Sequence, residues 1–206
     1  GIAVIAIDAS SQNRIIQILG ANETCGRAEA DRVRRALKGN AALLLQLEVS
    51  IELSLEMAHA AAALGNIVVL DPGPVRPLPE AFFACCHVIT PNETEAEALV
   101  GFPVVDPASA ARAAGALLGR GVPVAIIKLG AQGAYYATAE GGEYVPPLPV
   151  TAVDSVAAGD AFNGALAASL AAGEDLSQAV RIASAAGALA VTRFGAQDSM
   201  PFKEEV

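Results

Sequence analysis

The chain has 206 residues, of which 53% are hydrophobic, and this length and composition suit one domain with a sizeable core. The net charge is -9 with only 13 lysines and arginines, which excludes nucleic acid and anionic membranes as expected partners and favours a small molecule. The sequence has no apolar run of membrane-spanning length and no recognisable signal peptide, so we expect a soluble, cytoplasmic protein.

Hydrophobic periodicity predicts an alternation of strands and helices along the chain. The opening residues 1–19 predict a β-hairpin whose polar turn runs from Asp8 to Asn13. Further strands are predicted over residues 41–48, 66–71, 87–90 and 123–130, with a second hairpin over 133–148. Helices are predicted over residues 29–39, 52–65, 79–84, 92–101 and 108–121, and as two alanine-rich helices from Gly159 and Asp175.

The four internal strands lack polar alternation, which indicates that both of their faces are covered. This pattern predicts a mostly parallel sheet sandwiched between layers of helices. In such a sheet, ligands bind at the carboxyl ends of the strands.

The segment DSVAAGDAFNGAL places four small residues, VAAG, in front of Asp160 at a helix start. Backbone N–H groups at a helix N-terminus attract anions, and small side chains allow a phosphate to approach them. A carboxylate beside that site can accept a proton from a hydroxyl that attacks the phosphoryl group. The alternative is that Asp160 caps its helix, although a cap requires fewer small residues.

Three other segments admit a functional and an ordinary interpretation. KLGAQGAYY is either a loop that approaches nucleotide phosphates or a turn into the second hairpin. In TPNETEAEALVG, the acids either form a solvated helix start, or Asn92 and Glu95 bind magnesium-bound water. Glu48 either accepts hydrogen bonds from sugar hydroxyls or is a surface acid.

Together these segments resemble the ribokinase-like (PfkB) family of sugar kinases. DSVAAGDAFNGAL resembles the family signature D-T-x-[AG]-A-G-D-x-F-x-G-A, and TPNETEAEALVG resembles its N-x-x-E segment. LDPGPVRPLP resembles its asparagine-proline strand end, and AVTRFGAQDSMP resembles its C-terminal loop. The resemblance extends from Gly1 to about Glu205, and it implies a three-layer α/β/α fold in one domain over residues 1–206.

The resemblance also implies roles for individual residues. Asp160 matches the base that contacts the sugar hydroxyl, and Glu48 matches a second sugar ligand. Asn92 and Ser184 match nucleotide contacts, and Glu95 matches the acid that binds Mg²⁺ through water. The matches to the anion hole are the N–H groups of Ala157, Ala158, Gly159 and Asp160. The matches to the nucleotide-phosphate loop are Lys128, Leu129, Gly130, Ala131, Gln132 and Gly133. The matches to the K⁺ site are Asp154, Val156, Ala190, Arg193, Gly195 and Ser199.

The implied activity is phosphorylation of a sugar hydroxyl by ATP with Mg²⁺ and K⁺, and D-ribose, giving D-ribose 5-phosphate, is the leading substrate. The alternatives are a fructokinase, a nucleoside kinase, and a nucleotide-binding module without transferase activity. The family resemblance further implies a homodimer that forms through lid strands in the full-length form.

The sequence departs from the family pattern at several positions. Ser155 replaces threonine, Asp71 stands where asparagine is common, and Lys128 stands where threonine is common. The chain also begins without methionine, directly in a predicted strand, and it lacks the Gly-Gly and G-A-N sugar-binding segments of the family's N-terminal third. We therefore expect an N-terminal truncation that leaves the ATP half and part of the sugar pocket.

Overall fold

The computed structural model of the chain describes residues 1–7, 13–39 and 42–206. It begins with an antiparallel hairpin of β1 (Ile2–Ile7) and β2 (Asn13–Ile18), in which Ile2 is opposite Ile18. The predicted N-terminal hairpin is therefore confirmed. The predicted turn runs from Asp8 to Asn13. Residues 8–12 of it lie outside the described residues, and Asn13 is the first residue of β2.

The remaining elements follow the predicted alternation. The strands are β3 (Ala42–Leu45), β4 (Ile67–Leu70), β5 (Val88–Ile89), β6 (Val124–Lys128), β7 (Ala134–Thr138) and β8 (Gly141–Val145). The helices are α1 (Arg27–Leu37), α2 (Ile51–Ala63), α3 (Ala81–Cys85), α4 (Glu93–Val100), α5 (Pro107–Leu118), α6 (Ala158–Ala171) and α7 (Leu176–Ala190). The prediction for β3 was too long at its carboxyl end, because the strand stops at Leu45 and Leu47 turns inward, with its N–H donating to the carbonyl of Gly73.

Within the described residues, six strands form one mixed sheet in the order β3-β4-β5-β6-β7-β8. The strands from β3 to β6 are parallel, and β7 and β8 continue the sheet as an antiparallel hairpin. The carboxyl ends of the four parallel strands therefore meet at one edge of the sheet.

Alternate side chains of the central strands enter two separate hydrophobic clusters. Val68 and Leu70 of β4 pack with residues of α2 to α5, whereas Val69 packs on the opposite face with residues of α6 and α7. Each fully buried Val or Leu contributes roughly 1.5–3 kcal/mol to stability. The result is the predicted arrangement of a sheet between two helical layers.

The helices differ in how they begin. At α2, α4, α5 and α7, the side chains of Ser50, Asn92, Asp106 and Asp175 accept a hydrogen bond from a backbone N–H of the first turn. By contrast, α6 begins after Ala157, which has a left-handed φ of 63° and no side-chain oxygen. The N-terminus of α6 is therefore left without a side-chain cap. Across the described part of the chain, every helix is too short or too polar to cross a membrane.

Candidate active site

The start of α6 presents backbone donors at the carboxyl edge of the sheet. The N–H of Ala158 makes a long hydrogen bond of 3.5 Å to the carbonyl of Ser155, and regular helical bonding begins with Ala161, 2.9 Å from the carbonyl of Ala157. Among the described residues, the N–H groups of Gly159 and Asp160 have no acceptor. They carry the partial positive charge of a helix N-terminus and are available to an anion.

The ammonium group of Lys128 lies against the same turn. A β-carbon added at Gly159 would be 3.5 Å from Lys128 Nζ. This distance is an ordinary van der Waals contact, so the Lys128 ammonium group is a direct neighbour of the exposed N–H groups.

Asp160 opens onto a cleft of about 260 Å³. Its Oδ1 accepts a hydrogen bond from Gln46 Nε2 at 3.2 Å, and it does not cap α6. Asp160 is exposed at the mouth of the cleft, yet enough protein surrounds the carboxyl group that partial loss of hydration raises its pKa, and the negative charge of Asp71 raises it further. The hydrogen bond from Gln46 and the charge of Lys128 act in the opposite direction. The cleft is lined by Leu44, Leu45, Gln46, Asp160 and Asn163.

A buried polar network lies beneath this cleft. Asp71, which is 5% exposed, follows the last residue of β4. Its Oδ1 accepts a hydrogen bond from Lys128 Nζ at 3.1 Å and its Oδ2 accepts one from Asn163 Nδ2 at 2.6 Å. The two departures from the family pattern, Asp71 and Lys128, therefore form an ion pair with each other. Together with Asn163 they connect the ends of β4 and β6 to α6.

The start of α4 lies beside the same strands. The side chain of Asn92 accepts from the Glu95 N–H at 2.9 Å, and a carboxylate oxygen of Glu95 accepts from the Asn92 N–H at 2.8 Å. Burial raises the pKa of Glu95, with a further contribution from the charge of Asp71, and burial also raises the pKa of Glu93. Glu93 and Glu95 are half-buried, whereas Glu97 is exposed, so the start of α4 is solvated only in part.

The loop from Lys128 to Gly133 connects β6 to β7 through a short 3-10 helix, Gly130–Gln132. Gly133 has a φ of 83°, and a β-carbon there would collide with the carbonyl oxygen of Val145. Leu129 is buried, and the Lys128 N–H donates to the carbonyl of Pro91 at 2.9 Å. The loop is therefore a turn into the hairpin, as one interpretation expected, and it also lies next to the start of α4.

Two further predicted ligands, Glu48 and Ser184, make hydrogen bonds within the chain. Glu48 follows β3 by three residues, and its Oε1 accepts a hydrogen bond from Gln17 Nε2 of β2 at 2.7 Å. This bond connects the N-terminal hairpin to the edge of the sheet. Ser184 is half-buried in α7, where its hydroxyl donates to the carbonyl of Val180 at 2.8 Å.

The residues predicted for the K⁺ site lie in the loop before α6 and in the segment that begins with Ala190, the last residue of α7, and Asp154 joins these two segments. Asp154 accepts hydrogen bonds from the N–H groups of Val156 at 3.0 Å and Gly195 at 3.1 Å. These two backbone donors lower its pKa. The N–H of Asp154 in turn donates to the carbonyl of Val191 at 3.2 Å. The loop that leads into the anion hole is thereby connected to the segment after α7.

Two other members of this predicted site, Arg193 and Ser199, have side chains that already contact protein groups. The Arg193 guanidinium pairs with the Glu205 carboxylate at 2.5 Å, so only its backbone carbonyl is left as a ligand. Ser199 is fully buried and its hydroxyl donates to the carbonyl of Ala196 at 2.8 Å. In the part of the chain that the structure describes, no three His, Cys, Asp or Glu side chains cluster in a way that could hold a metal ion.

Sequence reasoning missed two side chains of the cleft, Gln46 and Asn163. Gln46 interrupts an apolar run two residues before Glu48. Asn163 lies three residues after Asp160 in an alanine-rich helix. A spacing of three residues places Asn163 on the same helix face as Asp160, so both polar residues carried a usable signal.

Three comparisons agree on the family of this chain. The family described as pfkB family carbohydrate kinase matches residues 1–203. The chain is 35% identical over 206 residues to a ribokinase of Haemophilus influenzae, an alignment that covers 100% of this chain and 67% of the relative. The crystal structure of a ribokinase from Thermotoga maritima has a TM-score of 0.85 and 38% identity, and the match covers 98% of this chain and 67% of that one.

A further solved structure contains ligands. The ribokinase of Arabidopsis thaliana, complexed with ribose and ATP, has a TM-score of 0.86 and 29% identity over 98% of this chain and 66% of that one. The fold is thus that of a phosphotransferase that acts on carbohydrates. The chain belongs to the pfkB family of carbohydrate kinases, which confirms the resemblance, and it spans about two thirds of the length of these relatives.

Proposed function

We propose that this chain transfers the terminal phosphoryl group of ATP to a sugar hydroxyl, with D-ribose as the substrate and D-ribose 5-phosphate as the product. The observation that carries this proposal is the juxtaposition of unpaired N–H groups at Gly159 and Asp160 with the Asp160 carboxylate, at the mouth of one cleft. The family membership and the ribose and ATP complex of the Arabidopsis ribokinase support the same activity.

In the proposed reaction, Asp160 accepts the proton of the attacking sugar hydroxyl. The raised pKa of Asp160 makes it a stronger base than an ordinary surface aspartate. The N–H groups at the start of α6, from Ala157 to Asp160, stabilise the charge of the phosphoryl group in flight. Lys128, which pairs with Asp71, lies beside these N–H groups.

We assign the nucleotide to the edge formed by Asn92, Ser184 and the loop from Lys128 to Gly133. The raised pKa of Glu95, close to the negative charge of Asp71, supports a cation at this edge, because a positive ion would favour both carboxylates. We propose that Glu95 holds Mg²⁺ through water. When bound, Mg²⁺ neutralises charge on the nucleotide phosphates.

We propose a K⁺ site behind the anion hole. Its donors would be the Asp154 carboxylate and backbone carbonyls, and oxygen donors fit a hard monovalent cation. Such an ion would hold the loop before α6 in the conformation that exposes the N–H groups. The proposed ligands are Asp154, Val156, Ala190, Arg193, Gly195 and Ser199.

We propose that Glu48 accepts hydrogen bonds from ribose hydroxyls. Its contact with Gln17 supports this role, because the hairpin brings a hydrogen-bond donor to Glu48 at the edge of the sheet, and this edge would be open without the hairpin.

We also propose that residues 1–206 form one domain. The three cysteines are free, which suits the reducing cytoplasm.

We propose that the hairpin pairs with a second copy of this chain. The side chains of Ile2, Val4, Ile16 and Ile18 are between 55% and 66% exposed, so the hairpin presents a row of apolar groups to solvent. Sedimentation should detect a dimer that Ile16→Lys dissociates. A monomer at all concentrations would contradict this assignment.

The test of the proposed function is a substrate panel at fixed ATP, scored by mass spectrometry of the sugar phosphate. We expect phosphorylation of D-ribose in preference to 2-deoxyribose, fructose and nucleosides, with one ADP formed per sugar phosphate. Preference for fructose or a nucleoside would identify another kinase of the family. Binding of ATP with no phosphate transfer to any sugar would identify a nucleotide-binding module and overturn the proposal.

A further inference from the structure

Gln46 is the first residue after β3, the strand at the edge of the six-stranded sheet within the described residues. Its Nε2 lies 3.2 Å from Oδ1 of Asp160, although the two residues are 114 positions apart in the chain. An ionised carboxylate can only accept hydrogen bonds, so the Gln46 amide must present its NH₂ group to Asp160.

This bond constrains the orientation of the Asp160 carboxylate. Among the described residues, Gln46 is the hydrogen-bond donor to that carboxylate, and it occupies one of the two oxygens. The other oxygen remains available to accept the proton of a hydroxyl in the cleft. A base oriented by a third group is a recurring arrangement in catalytic sites.

The charges around Asp160 explain why a neutral donor suits this position. Asp71 after β4 and Glu48 after β3 raise the pKa of Asp160, whereas Lys128 at the end of β6 and the Gln46 hydrogen bond lower it. A second cation beside Asp160 would weaken it as a base, whereas an amide favours the carboxylate without adding charge.

We propose that Gln46 is a positioning residue for phosphoryl transfer: its amide holds one oxygen of Asp160 and thereby turns the other toward the attacking hydroxyl. This inference rests on the proposed function, because it takes Asp160 as the base. Gln46 also lines the cleft, so its side chain lies where the sugar would enter.

The first test uses the nucleotide-free protein. Carboxyl ¹³C NMR follows the titration of Asp160 in the wild type, in Gln46→Met, which retains length but lacks the donor, and in Gln46→Glu, which introduces a second carboxylate. We expect the pKa of Asp160 to rise in Gln46→Met and to rise further in Gln46→Glu, because like charges share one site. Thermal unfolding checks that each variant is folded. An unchanged or lowered pKa in Gln46→Met overturns the inference.

The second test is the pH profile of kcat/KM. Removal of a donor that favours the carboxylate moves the acidic limb of this profile to higher pH. Gln46→Met should therefore lose about three- to tenfold in kcat/KM on the acidic limb. We expect the KM for ATP to be unchanged. Gln17→Met is the matched control, because Gln17 holds Glu48 instead of Asp160. We expect this control to raise the KM for the sugar without moving the acidic limb.

An equal displacement of the acidic limb in the two variants would overturn the inference, because it would indicate a general effect on the cleft. Failure of the proposed function gives a different result. If Asp160→Asn retained phosphoryl transfer, Asp160 would not be the base, whereas the NMR titration would still report the contact between Gln46 and Asp160.

Discussion

Two aspartates six residues apart, Asp154 and Asp160, lie on either side of the same helix start and have opposite environments. Both oxygens of Asp154 accept hydrogen bonds from backbone N–H groups, and its pKa is lowered. Asp160 accepts one hydrogen bond from a side-chain amide, faces a cleft, and has a raised pKa. The Asp154 carboxylate is thus held by two backbone donors, whereas the Asp160 carboxylate has one oxygen without a donor, at the cleft.

The two environments distinguish a structural carboxylate from a candidate general base within one motif. A carboxylate with both oxygens occupied by backbone donors holds two loops together and is a poor proton acceptor. A carboxylate with one oxygen free, in a cleft with other charges, is a candidate base. Four sets of substitutions test the two aspartates, the ion pair beneath Asp160 and the turn that precedes it.

Asp160→Asn should have the largest effect. Loss of a general base lowers turnover by about 10²–10⁴-fold, and ATP affinity should stay within a few-fold because the backbone N–H groups remain. A coupled assay of ADP release measures turnover, and calorimetry measures ATP binding. Turnover equal to that of the wild type would remove Asp160 from the mechanism.

The ion pair beneath the cleft should show the next largest effect. Lys128→Met leaves the buried charge of Asp71 without its cation and should lower the free energy of unfolding by about 3 kcal/mol. The double variant Asp71→Asn with Lys128→Met removes both charges and should recover most of that loss, as measured by urea unfolding. Additive losses in the double variant would show that the two residues do not act as a pair.

Asp154→Asn should have a moderate effect on activity. An amide cannot accept from both Val156 and Gly195, so the loop before α6 loses its link to the segment after α7. We expect activity to fall about 10- to 100-fold, and the preference for K⁺ over Na⁺ to disappear. Asp198→Asn, which changes an exposed acid in the segment after α7, is the matched control. If the K⁺ preference survived in Asp154→Asn, the proposed cation site would be wrong.

Ala157→Gly should have the smallest effect. Ala157 is the non-glycine residue with a left-handed φ within the described residues, and glycine adopts this conformation without steric cost. The greater flexibility of glycine in the unfolded chain offsets part of the gain, so unfolding free energy should rise by under about 1 kcal/mol. Ala158→Gly, one residue later in helical conformation, should instead be destabilising. Equal losses in both variants would contradict strain at Ala157.

The sequence by itself predicted most of the fold, because hydrophobic periodicity and turn residues are local properties. The unbroken apolar runs of β4 and β6 indicated strands covered on both faces, and both enter the two hydrophobic clusters. The small residues before Asp160 predicted a helix start that anions can approach, and α6 begins there without a side-chain cap. These outcomes depend on residues that are neighbours in the chain.

Which polar groups contact each other depends on the tertiary structure. Lys128 pairs with Asp71 at a separation of 57 residues, and Gly195 donates to Asp154 at a separation of 41 residues. The partial burial of Glu95 depends likewise on a distant segment, because its carboxylate lies against Gly73, which follows β4. Periodicity reports which face of an element is buried, but it carries no information about which strand ends lie side by side. The charges and hydrogen bonds of the cleft are set by that packing.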